Sequence, residues 1–204
     1  MPAHKATPAN ARRVLLIEGH PDASEGRLCR ALADAYAEGA QHAGHEVRRV
    51  RVAELDFALL RSQDEWKTGP LPPSLKPAQD DIGWAQHLVL IFPLWLGDMP
   101  ALLKGFLEQV ARPGFAFSAK GDNPLGQKGL TGRSARVVVT MGMPALLYRY
   151  FYRAHSVKSL ERNVLGFVGI ATVDETLIGM VEQLGDKGVA KWLDKLRKLG
   201  ADAR

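Results

Sequence analysis

The chain has 204 residues, a formal net charge of +5, a hydrophobic fraction of 46% and a charged fraction of 24%. That is the composition of an ordinary globular protein, long enough to bury a core without covalent staples. A lone cysteine, Cys29, excludes an intrachain disulfide and fits a reducing cytoplasm, and the longest apolar run, Leu88 to Leu96, contains Pro93 and falls far short of the ~20 residues of a spanning helix.

Residues 1–11 carry two prolines and no apolar h-region. They read as a frayed tail rather than a signal peptide, leaving 12–204 as one domain. Val14 to Ile17 is a short apolar run, expected as a buried strand ending at Glu18-Gly19-His20-Pro21. Leu28, Leu32, Ala35, Tyr36 and Ala40 then recur at helical spacing, and Gly44 ends that helix. Val47, Val50 and Val52 mark a weaker second strand. Residues 61–77, rich in Pro, Gly and polar groups, read as a long loop. A short helix from Asp80 to Gln86 precedes a third strand, His87 to Phe92. Pro100 opens a helix through Val110, followed by an excursion over 112–132. Fourth and fifth strands are expected at Ala135 to Met141 and Gly166 to Thr172, and an amphipathic helix from Gly185 to Leu199 follows. Strands alternating with helices imply βαβ crossovers: an α/β fold with a doubly wound, five-stranded parallel sheet and helices on both faces.

In such a sheet ligands sit at the carboxyl ends of the strands, where strand order reverses. Three loops leave strand ends here: 18–29, 93–100 and 140–148. The first, EGHPDASEGRLC, runs into a helix whose free N–H groups and dipole suit a phosphate. Ser24, Gly26 and Arg27 supply a hydroxyl, open backbone and charge, while an ordinary turn capped by Ser24 or Asp22 remains the alternative. In the second, FPLWLGDMPALLKGF, Pro93 and Pro100 hold a bend, and Trp95 and Leu96 place apolar bulk in a turn. The nearest P-loop match, Gly121 to Lys128, puts Gln127 where lysine is required. Basic residues are spread along the chain without a nucleic-acid motif, so the positive charge favours phosphate-bearing cofactors. No GxSxG elbow and no metal-ligand spacing among the six histidines occur.

The segment Phe92 to Phe106, a proline-led aromatic loop followed by PALLKGF, resembles the NAD(P)H dehydrogenase (quinone) family of flavodoxin-like flavoproteins. His20-Pro21, Thr140-Met141-Gly142-Met143-Pro144 with Tyr148, and GFVGIATVDETLIGMVE agree with it, so the likeness covers about residues 12 to 182. The resemblance implies a tightly bound FMN or FAD. Its phosphate chain would lie on His20, Ser24, Gly26, Arg27, Leu28 and Cys29. Its ring would lie between Pro93, Leu94, Trp95, Leu96 and Gly97 on one side and Thr140, Met141, Gly142 and Met143 on the other. NAD(P)H would donate a hydride in a ping-pong cycle, and a quinone-like acceptor would then take both electrons. The resemblance further implies a cytoplasmic homodimer with no membrane insertion. Tyr148 matches the family's catalytic tyrosine; the histidine position holds Ala154, with His155 one place later. Two rival readings are a flavodoxin-type electron carrier and a regulatory subunit of a transporter; the basic charge and the 112–132 excursion favour the enzyme over the carrier, and the regulatory subunit stands as the open alternative.

Overall fold

A strand from Arg13 to Glu18 turns Val14 and Leu16 to one side and Leu15 and Ile17 to the other, and all four are buried. Apolar groups on both faces require cover on both faces, and the rest of the chain supplies it. A computed structural model describes residues 11–118 and 127–204. In chain order the elements are β1 (Arg13–Glu18), α1 (Leu28–His42), β2 (Glu46–Arg51), α2 (Gln63–Thr68), α3 (Lys76–Trp84), β3 (His87–Pro93) and α4 (Ala101–Val110). Then come β4 (Phe117–Ser118), β5 (Gln127–Lys128), β6 (Ser134–Thr140), α5 (Ala145–Tyr150), α6 (His155–Ser159), α7 (Gly166–Val168), β7 (Thr172–Ile178) and α8 (Gly185–Ala201). A π-helical stretch, Leu160–Leu165, joins α6 to α7.

The main sheet is parallel throughout, with strand order β2-β1-β3-β6-β7. This is the flavodoxin-like doubly wound arrangement, and its order reverses between β1 and β3. Helices α3 and α4 and the run from α6 to α7 cover one face, packing Leu103, Phe106 and Leu160 against Leu15, Leu90 and Val137. Helices α1 and α8 cover the other. Those two approach closely because Gly39 and Gly200 sit at the crossing. A Cβ on Gly39 would lie 2.0 Å from the Arg197 carbonyl, and one on Gly200 2.1 Å from that of Tyr36.

Three expectations need correction. Residues 61–77 are not one loop: Ser62 caps α2 by accepting the Glu65 N–H, and α3 begins at Lys76 rather than Asp80. The last strand is Thr172–Ile178, not 166–172. The apolar residues Leu165, Val168 and Ile170 belong to the helical run and the turn after it, buried under the sheet, and Gly169 ends that run at φ +105°. As an edge strand β7 needs less apolar surface: its sequence TVDETLI carries only three apolar residues, and only its end, Thr176 to Ile178, is buried. The helical path over 145–168 is an addition. The 112–132 excursion contains the β4–β5 ladder, and its segment 119–126, like the tail residues 1–10, lies outside the described residues. Among the described residues no helix is long and apolar enough to cross a membrane.

Candidate active site

The carboxyl ends of β1, β3 and β6 bring the three loops to one edge. Leu94 N–H donates to the Thr140 carbonyl at 2.8 Å, Gly19 N–H donates to Ile91 at 2.8 Å, and the His20 ring meets Trp95 edge-on at 5.9 Å. A fourth loop joins them after β7. Met180 N–H donates to the Met143 carbonyl and Val181 N–H to that of Met141, both at 3.2 Å, and a Glu182 carboxylate oxygen lies 3.9 Å from where a Cβ on Gly142 would stand. Nothing in the sequence alone marked Glu182.

The 20–29 loop is organised around Asp22. Its carboxylate accepts from the Ser24 N–H at 2.8 Å and the Ser24 hydroxyl at 2.5 Å, and it pairs with Arg27. The Ser24 hydrogen bonds and the Arg27 charge hold the acid near pKa 2. Neither Ser24 nor Asp22 caps α1; Arg27 is the residue before it and makes no side-chain cap. Consequently the N–H groups of Glu25, Gly26, Arg27 and Leu28 donate to no other described residue, and a Cβ on Gly26 would meet open space. With no acid in the first helical turn, this is a positive, uncrowded cradle for an anion. His20 adds to it. Its Nδ1 accepts from the Asp22 N–H at 3.0 Å, and burial, then the Arg27 charge, lower its pKa. The neutral ring therefore carries its proton on Nε2 as a free donor.

Three of the cradle residues differ from expectation. Cys29 is buried, with its thiol 3.3 Å from the Thr140 hydroxyl. Burial pushes that thiol up to about 11, so the helix terminus does not activate it. Ser24 and Arg27 are committed to Asp22, so the open donors are backbone groups.

On the second loop, Trp95 and Asp98 exchange hydrogen bonds of 2.8 and 3.0 Å across a tight turn, leaving Leu96 at φ +48° and Gly97 at φ +82°. Such a turn wants glycine at both places; a leucine held in the left-handed region is strained by about 1–3 kcal/mol, and Leu96 is fully exposed. Trp95 is half exposed and does not plug the core. Pro93, Thr140 and Met141 are buried beneath this surface, with Leu94, Gly142 and Met143 reaching it.

Tyr148 corrects a larger expectation. Its ring is buried, and its hydroxyl lies 2.6 Å from the Ser156 hydroxyl and accepts from the Val157 N–H at 3.3 Å. The left-handed turn at Arg153 and Ala154 folds α6 back under α5 and brings those partners to it. The phenol is thus not presented to an acceptor. His155 is exposed, its Nδ1 2.9 Å from the Tyr152 carbonyl. Among the described residues no group of acidic, histidine and cysteine side chains is arranged to hold a metal.

A parallel sheet with open backbone donors at its switch point defines an α/β protein whose ligand edge lies at the carboxyl ends of its strands. The chain belongs to the family described as having the flavodoxin-like fold, whose model matches residues 12–199. It is similar to an uncharacterised NAD(P)H oxidoreductase of Haemophilus influenzae, 28% identical over 85% of this chain and 86% of that protein. It is also similar to an FMN-dependent NADH:quinone oxidoreductase of Shewanella amazonensis, 28% identical over 56% of this chain and 57% of that protein. Among solved structures it resembles an NAD(P)H:quinone oxidoreductase from Methanothermobacter marburgensis. That match has a TM-score of 0.77 at 26% identity, covering 94% of this chain and 96% of the other. The resemblance read from Phe92 to Phe106 therefore agrees with the relatives found.

Proposed function

We propose that this chain is a flavin-dependent NAD(P)H:quinone oxidoreductase whose flavin is FMN, held by a single domain over 12–204. One observation carries the reading: four consecutive unpaired backbone N–H groups, Glu25 to Leu28, lie beside a neutral His20 at the sheet's switch point. They fit a dianionic phosphate, because dipoles and a neutral donor meet the charge without a buried cation to desolvate. A Cβ on Gly97 would meet open space and one on Gly142 would meet only a Glu182 carboxylate oxygen at 3.9 Å, which supports the approach of a flat ring to this uncrowded backbone beside the exposed Trp95 and Leu96. When bound there, the flavin supplies two-electron chemistry between a nicotinamide donor and a quinone-like acceptor. The chain's part is to orient that ring, to place the Leu96 and Gly97 N–H dipoles near it, and to exclude water with Trp95 and Leu96. The FMN-dependent relative supports FMN over FAD.

A homodimer is part of this proposal. Leu59 and Phe167 are exposed beside a groove of about 530 Å³ between α2, α4 and the π-helical stretch, and a second copy seated there would cover them. A cytoplasmic setting accords with a single buried thiol. Titration of the purified chain with FMN tests the proposal. Quenching of free-flavin fluorescence, followed by NAD(P)H oxidation that depends on added quinone, is expected. No binding of either FMN or FAD at micromolar concentration overturns it.

A further inference from the structure

Five of the large apolar side chains that the fold leaves exposed fall within seven consecutive positions: Leu146, Leu147, Tyr150, Phe151 and Tyr152, with Tyr150 and Phe151 about three-quarters accessible. They are held out, not left loose. Beneath them the buried Tyr148 ties α5 to Ser156 and Val157 of α6. Arg153 and Ala154, at φ +54° and +47°, are consecutive non-glycine residues in the left-handed region, a conformation that such residues rarely adopt. Tyr152 N–H donates to the Leu147 carbonyl, Ala154 N–H donates to that of Tyr148, and the Phe151 and Tyr152 rings pack edge to face at 5.1 Å. A rigid corner displaying aromatic groups to solvent is a binding surface.

The charges around the corner indicate what it binds. Arg149 pairs with Glu175 at 2.6 Å, but among the described residues Arg153, Lys158 and Arg162 form no ion pair. Lys158 and Arg162 are four apart on the helical run from His155, both exposed, and continue the basic margin away from the aromatic tip. Between residues 145 and 166 the sole acid is Glu161. Aromatic tips flanked by free cations are the signature of an interfacial segment: the rings settle at headgroup depth and the cations meet anionic phosphates. A second copy is disfavoured at this face. A two-fold axis sets the patch against its own copy, and a patch with three cations unpaired among the described residues and the single acid Glu161 offers that copy few opposite charges.

We propose that the α5–α6 corner docks this protein peripherally on an anionic lipid surface. The corner begins at Pro144, directly after the Gly142-Met143 backbone of the candidate active site, so docking presses the mouth of that site toward the membrane. If the chain reduces quinones, as proposed above, an acceptor with a long apolar tail then reaches the site without leaving the bilayer. The lipid contact itself does not require that activity.

The test is flotation of the full chain with vesicles of phosphatidylcholine alone and of phosphatidylcholine with about one third phosphatidylglycerol. Binding to the anionic vesicles, weakened by salt, is expected. The double variants Tyr150→Ser/Phe151→Ser and Arg153→Glu/Lys158→Glu should each lower the bound fraction roughly tenfold. Both change exposed side chains, so melting temperature and FMN titration should match the parent and report that the fold is intact. No flotation of the parent with either vesicle overturns the proposal, as does undiminished flotation of both variants. If instead the variants alter the oligomeric mass on light scattering and leave flotation unchanged, the corner is a contact between copies and the lipid reading is wrong. Failure of the flavin titration with flotation retained removes the quinone reductase reading and leaves the lipid surface standing.

Discussion

The Cys29 thiol lies 3.3 Å from the Thr140 hydroxyl, joining the first turn of α1 to the end of β6. This contact ties the anion cradle to the loop on the far side of the candidate ring slot. Because burial raises the thiol to about 11, the thiolate is scarce at neutral pH. The folded protein should resist alkylation by iodoacetamide at pH 8 and react fully once unfolded in guanidinium. Rapid labelling of the native chain would show that Cys29 is exposed and reactive.

Trp95 is half exposed and touches His20 edge-on. Trp95→Ala should leave the melting temperature near that of the parent and weaken FMN binding by about 1–3 kcal/mol, the worth of an aromatic packing contact. Fluorescence titration and thermal unfolding measured side by side separate the two effects. A large loss of stability at unchanged affinity would return Trp95 to the core.

Tyr148→Phe deletes a hydroxyl that serves Ser156 and the Val157 N–H. Leaving those buried groups unsatisfied should cost about 1–3 kcal/mol of stability, or about 2–4 °C in melting temperature per kcal/mol for a chain of this size. The reductive and oxidative half-reactions should slow equally or not at all. Stopped-flow kinetics showing selective slowing of quinone reduction would restore the phenol to the chemistry.

His87 opens β3 on the α1 side, 1% exposed, with Nδ1 2.8 Å from the Ser134 hydroxyl and no partner for Nε2. Burial, followed by the charges of Arg12 and Arg136, lowers its pKa from 6.5 to about 3. Between those values the unfolded chain binds a proton that the folded one refuses, so stability falls as pH drops from 6.5 toward 3. Above pH 6.5 this residue contributes no slope. The full loss is on the order of a few kcal/mol, since one pKa unit is about 1.4 kcal/mol. Denaturant titrations at pH 7, 6, 5 and 4 should show the decline, and His87→Leu should flatten this part of it. An unchanged slope in the variant would assign the acid sensitivity elsewhere.

Gly39→Ala would place a methyl group 2.0 Å from the Arg197 carbonyl. Helices α1 and α8 must then separate, at a cost of about 1–3 kcal/mol or more. Chemical denaturation measures the change. A neutral result would mean that α8 moves freely on the sheet.

Strands β1, β3 and β6 were legible because each contains a run of consecutive apolar residues buried on both faces, Val14 to Ile17, Leu88 to Phe92 and Val137 to Val139, a pattern suited to the centre of a parallel sheet. The edge strand β7 was displaced, since the helical run and turn before it carry the greater apolar density. The three loops were legible for the same reason as the central strands: they follow from where those strands stop. The PALLKGF segment added the family, and the relatives agree.

What the sequence by itself determined was therefore the α/β class, the parallel sheet, the loops at its carboxyl edge and the family. What only the tertiary structure decided was the direction and occupation of individual polar groups. Ser24 and Arg27 turn to Asp22, Cys29 is sealed against Thr140, and Tyr148 points inward. The physical reason is range. Apolar periodicity is a local property repeated along many residues. The partner of one hydroxyl is set by a single turn, such as that at Arg153 and Ala154, and by groups brought together from distant segments.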